Sequence, residues 1–216
     1  MTLSTAAVEA RLRQLFPGEV AVAAETIGPS MAETLWPAEQ AAIAGAVPSR
    51  RAEFTAGRTA ARRALALLGL PPHALPMAPD RAAIWPAGIS GSIAHAAGIA
   101  VAVARPGAPL GVDIEDDTGI APDLWPIICL PAELQRLAND DTARQVKRIF
   151  CAKEAVFKAQ TPTSRVLFGH EILSVSLAGE HFDAQFLTSA GGFRAGQIVR
   201  GRIAMSDGLV VAGVAV

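Results

Sequence analysis

Lysine is almost missing from this chain. The only three lysines, Lys147, Lys153 and Lys158, lie within one short window, and the other basic side chains are arginines. Basic and acidic side chains nearly cancel, with a net charge of −1, so no overall field would attract nucleic acid or an anionic membrane. Binding of an anion therefore requires a local cluster, and the lysine window is the first place to look for one.

Cysteine is scarce as well, since Cys129 and Cys151 are the only two. They do not form the spaced, even-numbered framework of a disulfide-rich secreted domain, and neither lies at metal-ligand spacing from a histidine. We therefore expect a cytoplasmic protein. Charges interrupt the apolar positions of residues 1–18, which is typical of an amphipathic helix and not of a signal peptide. No apolar run reaches the roughly 18 residues of a membrane span.

Hydrophobic residues make up 51% of the 216 positions, which is enough for a sizeable core. The pattern predicts two long helices, at residues 49–68 and 141–159, each accompanied by segments of β-type composition. We therefore predict an α+β fold of two similar lobes, residues 1–110 and 111–216, that together form one compact unit. Within it, GIAVAVA and LGVDIE, joined by the turn RPGAP, are expected to form hairpin-linked strands.

The helix predicted at 49–68 should begin at Ser49 as its N-cap and end at Gly69. Its two faces differ. One repeats Phe54, Ala61, Leu65 and Leu68 at helical spacing, and another repeats Arg51, Thr55, Arg58 and Arg62. We expect the first face to pack and the second to be cationic. The alternative to anion binding by the second face is a solvated cationic stripe, which needs no ligand because arginine stems also cover apolar surface.

The segment GVDIE places two carboxylates together. Asp113 and Glu115 are two residues apart on a predicted strand, so both project from one face. Their mutual repulsion raises the cost of ionisation unless a cation lies between them. Mg²⁺ typically binds one or two carboxylates together with substrate phosphates, and would meet that need. The alternative is a solvated strand end followed by the acidic turn Asp116–Asp117.

The late helix contains the sequence FCAKEAVFKA. Glu154 and Lys158 are four residues apart, so they share a face, which Phe150 and Phe157 border. A half-buried glutamate has a tunable pKa and suits proton transfer. The alternative is an ordinary surface ion pair without chemistry.

A third cluster is SGSIAHA, where a loop becomes a strand. Ser90, Gly91 and Ser92 can present hydroxyl and backbone N–H groups to an anion, close to His95. The alternative is that His95 is a structural histidine.

Taken together and in this order, these segments resemble the 4′-phosphopantetheinyl transferase superfamily. GVDIE at 111–115 and FCAKEAVFKA at 150–159 match its signature, and RRAEFTAGRTAARRAL at 50–65 and WPAGISGSIAHA at 85–96 resemble the class associated with siderophore (enterobactin) and other nonribosomal peptide synthetases. The resemblance implies a Mg²⁺-dependent enzyme that moves 4′-phosphopantetheine from coenzyme A to a serine of an apo peptidyl or acyl carrier protein and releases 3′,5′-ADP. It also implies that the active site lies in the cleft between two lobes.

The same resemblance implies roles for single residues. Mg²⁺ would be held by Asp113, Glu115 and Glu154, and the catalytic residues would be Glu154, Lys158 and Asp113. Glu154 would either complete the metal shell or act as the base. The phosphates of coenzyme A would contact Arg51, Arg58, Arg81, Ser92, His95 and Lys158, with Arg50 and Arg62 as further candidates. Arginine forks suit such phosphates well.

The expected partner is an acidic carrier protein, and a single chain should suffice as a monomer because the cleft needs no second subunit. Residues 124–134 are a candidate contact region, in which Trp125, Ile127 and Ile128 are either carrier contacts or core. One alternative function is another Mg²⁺-dependent phosphotransferase or phosphodiesterase, although no G-x-x-x-x-G-K-[ST] loop is present. Another is an inactive coenzyme A binding scaffold, which would have no need of a repulsive carboxylate pair.

Overall fold

The strands of this protein are divided between two antiparallel sheets. The structure is a computed structural model that describes residues 4–16, 18–28, 35–137 and 141–216, with the backbone alone at 161–163. The smaller sheet has the order β1-β3-β2 and contains β1 (Ala21–Thr26), β2 (Ile89–Ala96) and β3 (Ile99–Pro106). The larger has the order β4-β8-β7-β6-β5 and contains β4 (Leu110–Asp116), β5 (Leu173–Ala178), β6 (His181–Phe186), β7 (Ile198–Ser206) and β8 (Leu209–Ala215). The predicted α+β class is confirmed.

Each sheet is covered by one long helix. The helices are α1 (Thr5–Leu15), α2 (Pro37–Gln40), α3 (Pro48–Leu67), α4 (Trp125–Ile128), α5 (Pro131–Arg136) and α6 (Thr142–Ser164), with 3₁₀ turns at Ala41–Ile43, Pro122–Leu124 and His170–Ile172. The α3 helix packs on β1 and β3, and α6 packs on β4 and β8. Within the described ranges, no helix is long and apolar enough to cross a membrane.

The ends of α3 follow local rules, one of which the sequence analysis misjudged. The helix begins at Pro48 with Val47 as its N-cap, so the prediction of Ser49 as the cap is wrong. Proline suits the first helical position because its fixed φ is helical and its missing N–H would be unpaired there. The predicted end is confirmed, since Gly69 has a φ of +74° and its N–H donates to the carbonyl of Ala66.

The predicted pairing of GIAVAVA with LGVDIE is also wrong. The first segment is β3, whose two edges are taken by β1 and β2, so no edge is left for LGVDIE. The second segment is β4, which pairs with β8 in the other sheet. The turn between them therefore carries the chain from one sheet to the other.

A shared core joins the two halves. Leu12 of α1, Val22 of β1, Val112 of β4 and Val211 of β8 belong to one buried cluster. The α1 helix contacts β1 of the smaller sheet and β7 and β8 of the larger one. The two sheets are therefore held together as one packed body. The division into two lobes at residue 110 stays a prediction.

Candidate active site

A cavity of about 250 Å³ opens where α3, β2 and α6 meet. Its basic lining residues are Arg50, Arg58, Arg81, His95 and Lys158, and its aromatic ones are Phe54, Trp85 and Phe157. Ser92 lines it too. Because Lys158 belongs to the second half of the chain and the other basic residues to the first, both halves build this cavity.

Two glycines give the cavity its shape. A Cβ atom at Gly91 would lie 2.4 Å from the Trp85 indole, and one at Gly57 would lie 2.9 Å from Ile93 Cγ2. Trp85 can therefore lie against the backbone of β2, and α3 can approach the same strand closely. The sequence offered no signal for these contacts, because each depends on a residue distant in the chain.

Arg58 is a fixed cation in the cavity wall. Its side chain is buried, its Nε donates to the Leu75 carbonyl at 2.6 Å, and its guanidinium lies 4.2 Å from the centre of the Phe54 ring. Burial lowers the pKa of Arg58 to about 10. The side chain is therefore still charged at neutral pH and is held in one place, as an anion site requires.

The remaining predicted cations of α3 are used inside the fold. Arg51 donates to the Ile43 carbonyl at 3.2 Å and is not among the residues that line the cavity, whereas its neighbour Arg50 is. Arg62 donates to both oxygens of the fully buried Glu39 at 2.8 and 2.7 Å. The alternative of a solvated cationic stripe therefore does not describe Arg51 and Arg62, since both are bound to acceptors of the protein.

Arg81 lies in the loop that borders the cavity. Its φ of +69° is in the left-handed region, which is uncommon for residues other than glycine, and its N–H donates to the Ala78 carbonyl at 2.9 Å. The preceding Asp80 forms a 3.1 Å ion pair with Arg165 at the end of α6. The loop is thus attached to the second half of the chain beside Arg81.

His95 is paired with Arg50, and its pKa is lowered. Arg50 Nη1 lies 3.1 Å from His95 Nε2, and because a guanidinium can only donate, Nε2 accepts and Nδ1 carries the proton. Burial is the main reason that the pKa of His95 is lowered, and the positive charges of Arg50 and Lys158 lower it further.

Ser92 ties the two sheets together. Its buried hydroxyl accepts the Val112 N–H at 3.1 Å and lies 3.5 Å from the Val112 carbonyl. This contact joins β2 to β4 next to Asp113. The hydroxyl predicted to contact coenzyme A is thus already used in the fold, although the residue lines the cavity.

Gly111 brings β4 into direct contact with α6. A Cβ atom there would lie 2.0 Å from the Ala155 carbonyl oxygen and 2.6 Å from the Ala159 nitrogen. Only glycine permits this approach, which explains the first letter of GVDIE. The approach places Asp113 beside Lys158.

Asp113 and Lys158 form a close ion pair at the cavity wall. Lys158 Nζ donates to Asp113 Oδ1 at 2.5 Å, and the aspartate is only 3% exposed. Its other oxygen, Oδ2, is buried and has no hydrogen-bond partner in the described part of the chain. Burial raises the pKa of the Asp113 carboxyl, and Lys158 partly offsets this. A buried carboxylate oxygen without a partner is costly, and a bound cation would satisfy it.

Glu115 is held by a second lysine. Lys147 Nζ lies 3.3 Å from Glu115 Oε2 and 3.2 Å from Asp116 Oδ1. Burial raises the pKa of Glu115, the charge of Asp113 raises it further, and Lys147 opposes both. The two carboxylates of GVDIE therefore repel each other as expected, and each is partly neutralised by its own lysine.

Glu154 is bound by a histidine that the sequence analysis missed. His170 Nε2 lies 3.0 Å from Glu154 Oε1, while Lys158 is engaged by Asp113. Burial raises the pKa of Glu154, but the hydrogen bond from His170 and the charge of Lys158 outweigh it, so the pKa is lowered. No spacing rule links these residues, because His170 reaches Glu154 only when the chain folds back after α6.

Lys153, the third lysine of the window, is buried and bound inside the fold. Lys153 is 1% exposed, and its Nζ donates to Glu133 Oε2 at 2.8 Å, to the Ile128 carbonyl at 2.9 Å and to the His170 carbonyl at 3.1 Å. All three donors of the ammonium group are satisfied. Lys153 thus joins α6 to α4, to α5 and to the turn at His170, and is not free to contact a substrate.

The three predicted metal ligands are carboxylates that lie apart from one another and are bound to basic groups of the protein. Within the described ranges, no three His, Cys, Asp or Glu side chains lie close enough together to hold a metal ion. Asp113, Glu115 and Glu154 instead each contact a basic side chain of the protein. The donor set is nevertheless all carboxylate, as Mg²⁺ prefers, and includes the unsatisfied Oδ2 of Asp113. The metal assignment fits these residues and stays a prediction.

The proposed carrier-contact region contains both exposed and buried residues. Ile127 is 69% exposed and Leu124 44%, whereas Ile128 is buried. Trp125 packs against the core and donates its indole N–H to the Ile120 carbonyl at 2.7 Å. The segment 124–128 thus presents Leu124 and Ile127 to solvent and uses Trp125 and Ile128 in the fold.

Comparison with known proteins assigns the chain to a family. Residues 38–105 match the 4′-phosphopantetheinyl transferase N-terminal domain, and residues 109–199 match the 4′-phosphopantetheinyl transferase superfamily. The chain is 38% identical over 196 residues to 4′-phosphopantetheinyl transferase Svp of Streptomyces mobaraensis, covering 84% of this chain and 78% of that protein. It is 36% identical over 140 residues to 4′-phosphopantetheinyl transferase PptT of Mycobacterium tuberculosis, covering 62% of each.

A further relative is enterobactin synthase component D of Escherichia coli (strain K12), at 34% identity over 148 residues, covering 66% of this chain and 70% of that protein. The chain therefore belongs to the 4′-phosphopantetheinyl transferase superfamily. It is an enzyme of the type that converts an apo carrier protein to its holo form, with coenzyme A as the substrate that supplies the phosphopantetheine group.

Proposed function

We propose that this transferase carries out a Mg²⁺-dependent transfer at the wall of the 250 Å³ cavity, with Asp113, Lys158 and Glu154 as its catalytic residues. The observation that carries the proposal is the buried Asp113–Lys158 pair, in which one carboxylate oxygen has no partner within the described chain. Burying a charged carboxylate with an unsatisfied oxygen destabilises the fold, and an ion pair with only a structural role would be expected to have both oxygens satisfied.

Coenzyme A would lie in this cavity with its phosphates against Arg50, Arg58, Arg81 and His95. Arg58 supports this placement because it is charged, buried and held by Leu75 and Phe54. Arg50 and Arg81 are the more exposed cations and can adjust to the ligand. We no longer favour Arg51, whose guanidinium is bound to the Ile43 carbonyl outside the cavity lining.

Asp113, Glu115 and Glu154 would hold Mg²⁺, with Glu154 as a ligand or as the base. When bound, Mg²⁺ would neutralise charge on the pyrophosphate of coenzyme A. Lys147 and His170 now contact two of these carboxylates, and Lys158 contacts the third. Each of these contacts uses one oxygen of its carboxylate, Oδ1 of Asp113, Oε2 of Glu115 and Oε1 of Glu154, so the ion would bind through the other oxygen of each.

In the transfer, the hydroxyl oxygen of the carrier serine attacks the phosphorus that bears pantetheine. A new phosphorus–oxygen bond forms, the bond to the leaving phosphate breaks, and 3′,5′-ADP departs. We assign the serine proton to Glu154, which is ionised at neutral pH; its lowered pKa makes it a weaker base than an ordinary glutamate, which suits a role as metal ligand equally well. Lys158, 28% exposed at the cavity wall, would stabilise negative charge on the phosphoryl group.

The carrier would be a peptidyl or acyl carrier protein, and nonribosomal peptide or siderophore synthesis is the pathway type that we favour. Enterobactin synthase component D among the relatives supports this choice. Leu124 and Ile127 are the exposed apolar side chains that we assign to carrier contact.

We also propose that the protein is a monomer, because one chain supplies every residue of the cavity. We propose a cytoplasmic location, which the two free, buried cysteines support.

The test is a mass measurement on the carrier. The full chain is incubated with coenzyme A, Mg²⁺ and an apo peptidyl carrier protein, with EDTA as the control, and the carrier is weighed intact. We expect one phosphopantetheine to be added, and expect EDTA to prevent it. Saturable binding of coenzyme A without transfer to any of several peptidyl and acyl carriers would support the inactive scaffold instead.

A further inference from the structure

His170 is fixed against α6 by three contacts. Its Nε2 lies 3.0 Å from Glu154 Oε1, and its backbone carbonyl accepts from Lys153 Nζ at 3.1 Å. Its ring is perpendicular to that of Phe150, with the centroids 5.4 Å apart and the planes at 89°. Phe150, Lys153 and Glu154 lie on one face of the helix, at i, i+3 and i+4. The imidazole therefore has little freedom to turn away from the glutamate.

Glu154 needs such a partner because its neighbours on the helix are committed elsewhere. Lys158, one turn away, donates to Asp113 at 2.5 Å, and Lys153 is fully engaged by Glu133 and two carbonyls. A glutamate side chain has three rotatable torsions, and without a partner its carboxylate would populate several positions. The contact with His170 selects one of them.

The selected position faces a small cavity of about 70 Å³. Glu154 and His170 line it together with Phe157, Phe168, Gly169 and others. Phe157 also lines the larger cavity that contains Lys158. The two cavities thus share Phe157 as a wall, and the His170 contact holds the carboxylate in the cavity next to the one where transfer is proposed.

We propose that His170 is a positioning residue for the transfer: it donates from Nε2 to Glu154 and so orients the carboxylate that handles the serine proton or the metal. This inference rests on the proposed function, because it assigns His170 a role only through Glu154. It requires a donor at the position of Nε2 and does not require His170 to be charged.

Two amide variants test this requirement. In His170→Gln the amide nitrogen can reach the position of Nε2, whereas in His170→Asn the shorter side chain cannot. We expect His170→Asn to lower kcat by about 10- to 100-fold, as is usual when the partner that orients a functional ligand is lost. The KM for coenzyme A should stay within about twofold, and His170→Gln should recover most of kcat.

The control is His181→Phe, which alters an exposed histidine at the start of β6 and should leave kcat and KM unchanged. Circular dichroism checks that each variant is folded, and a crystal structure of His170→Asn should show the Glu154 carboxylate turned from its wild-type position. Equal kcat values for the Asn and Gln variants, or an unmoved carboxylate, would overturn the inference. A wild-type chain that modifies no carrier would instead overturn the proposed function, and this inference with it.

Discussion

The two long helices both carry a row of basic side chains, but they present them differently to the cavity. On α3, Arg51 and Arg58 donate to backbone carbonyls and Arg62 is paired with Glu39. On α6, each lysine is paired with carboxylates: Lys147 with Glu115 and Asp116, Lys153 with Glu133, and Lys158 with Asp113. The first helix thus supplies Arg58 as a fixed cation of the cavity wall, and the second holds the carboxylates of the proposed site of chemistry.

Among the lysines of α6, burial separates structural from chemical roles. The Lys153–Glu133 side chains are both 0% exposed and their hydrogen-bonding groups are satisfied, as in a pair that holds the fold. The Lys158–Asp113 pair has one member at 28% exposure and one unsatisfied oxygen, as in a pair that awaits a ligand.

The largest effect should come from Asp113→Ala. The change removes the proposed metal ligand and the partner of Lys158, so turnover should be abolished. The fold should persist, because Lys158 is partly solvated and the cost of burying the aspartate is removed. Carrier modification by intact mass and melting by circular dichroism measure the two properties. Retained turnover would contradict the metal assignment.

The next effect is on stability. Lys153→Met leaves Glu133 as a buried charge without its ammonium partner, which should cost about 3–5 kcal/mol in the free energy of unfolding. Urea unfolding measures it. The matched variant is Asp113→Ala, which leaves the partly exposed ammonium group of Lys158 and should therefore cost much less stability. If both variants lost the same stability, the distinction between the two ion pairs would be wrong.

Arg58→Ala should act mainly on coenzyme A binding. Removing a buried, charged hydrogen-bonding group from the cavity wall should raise the KM for coenzyme A by about 10-fold or more, since such contacts contribute about 1.5–3 kcal/mol each. Some stability will also be lost with the packing on Phe54. Initial rates over a range of coenzyme A concentrations, on protein shown to be folded, give the answer. An unchanged KM would remove Arg58 from the phosphate site.

The smallest effect should come from Arg51→Ala. Its guanidinium is bound to the Ile43 carbonyl and does not line the cavity, so the KM for coenzyme A should change less than about twofold. Arg50→Ala, one residue earlier, is the matched control and should raise that KM more. A larger rise for Arg51→Ala than for Arg50→Ala would reverse the assignment of this helix face.

Local sequence rules predicted much of the fold and of the candidate site. Helical and strand periodicity gave the α+β class, both long helices and the position of Asp113 and Glu115 on one strand, because these depend on neighbours in the chain. The choice between Arg50 and Arg51 was beyond such rules, since adjacent residues on a helix point about 100° apart and a small error of phase exchanges them.

Contacts between distant segments could not be predicted in this way. His170 meets Glu154 because the chain folds back after α6. Lys153 is paired with Glu133, which lies on α5 and is distant from it in the chain. The sequence analysis likewise paired Glu154 with Lys158 by spacing alone, whereas Asp113 lies closer to Lys158. Helical spacing shows which side chains can meet, and tertiary packing decides which ones do.

The central claim is that the α6 face of the cavity carries out a metal-dependent transfer. The most direct measurement is the intact mass of an apo peptidyl carrier protein after incubation with the full chain, coenzyme A and Mg²⁺, for the wild type and for Asp113→Ala. Our account predicts one added phosphopantetheine with the wild type, none with EDTA and none with the variant. Transfer that survives EDTA or the loss of Asp113 would contradict it.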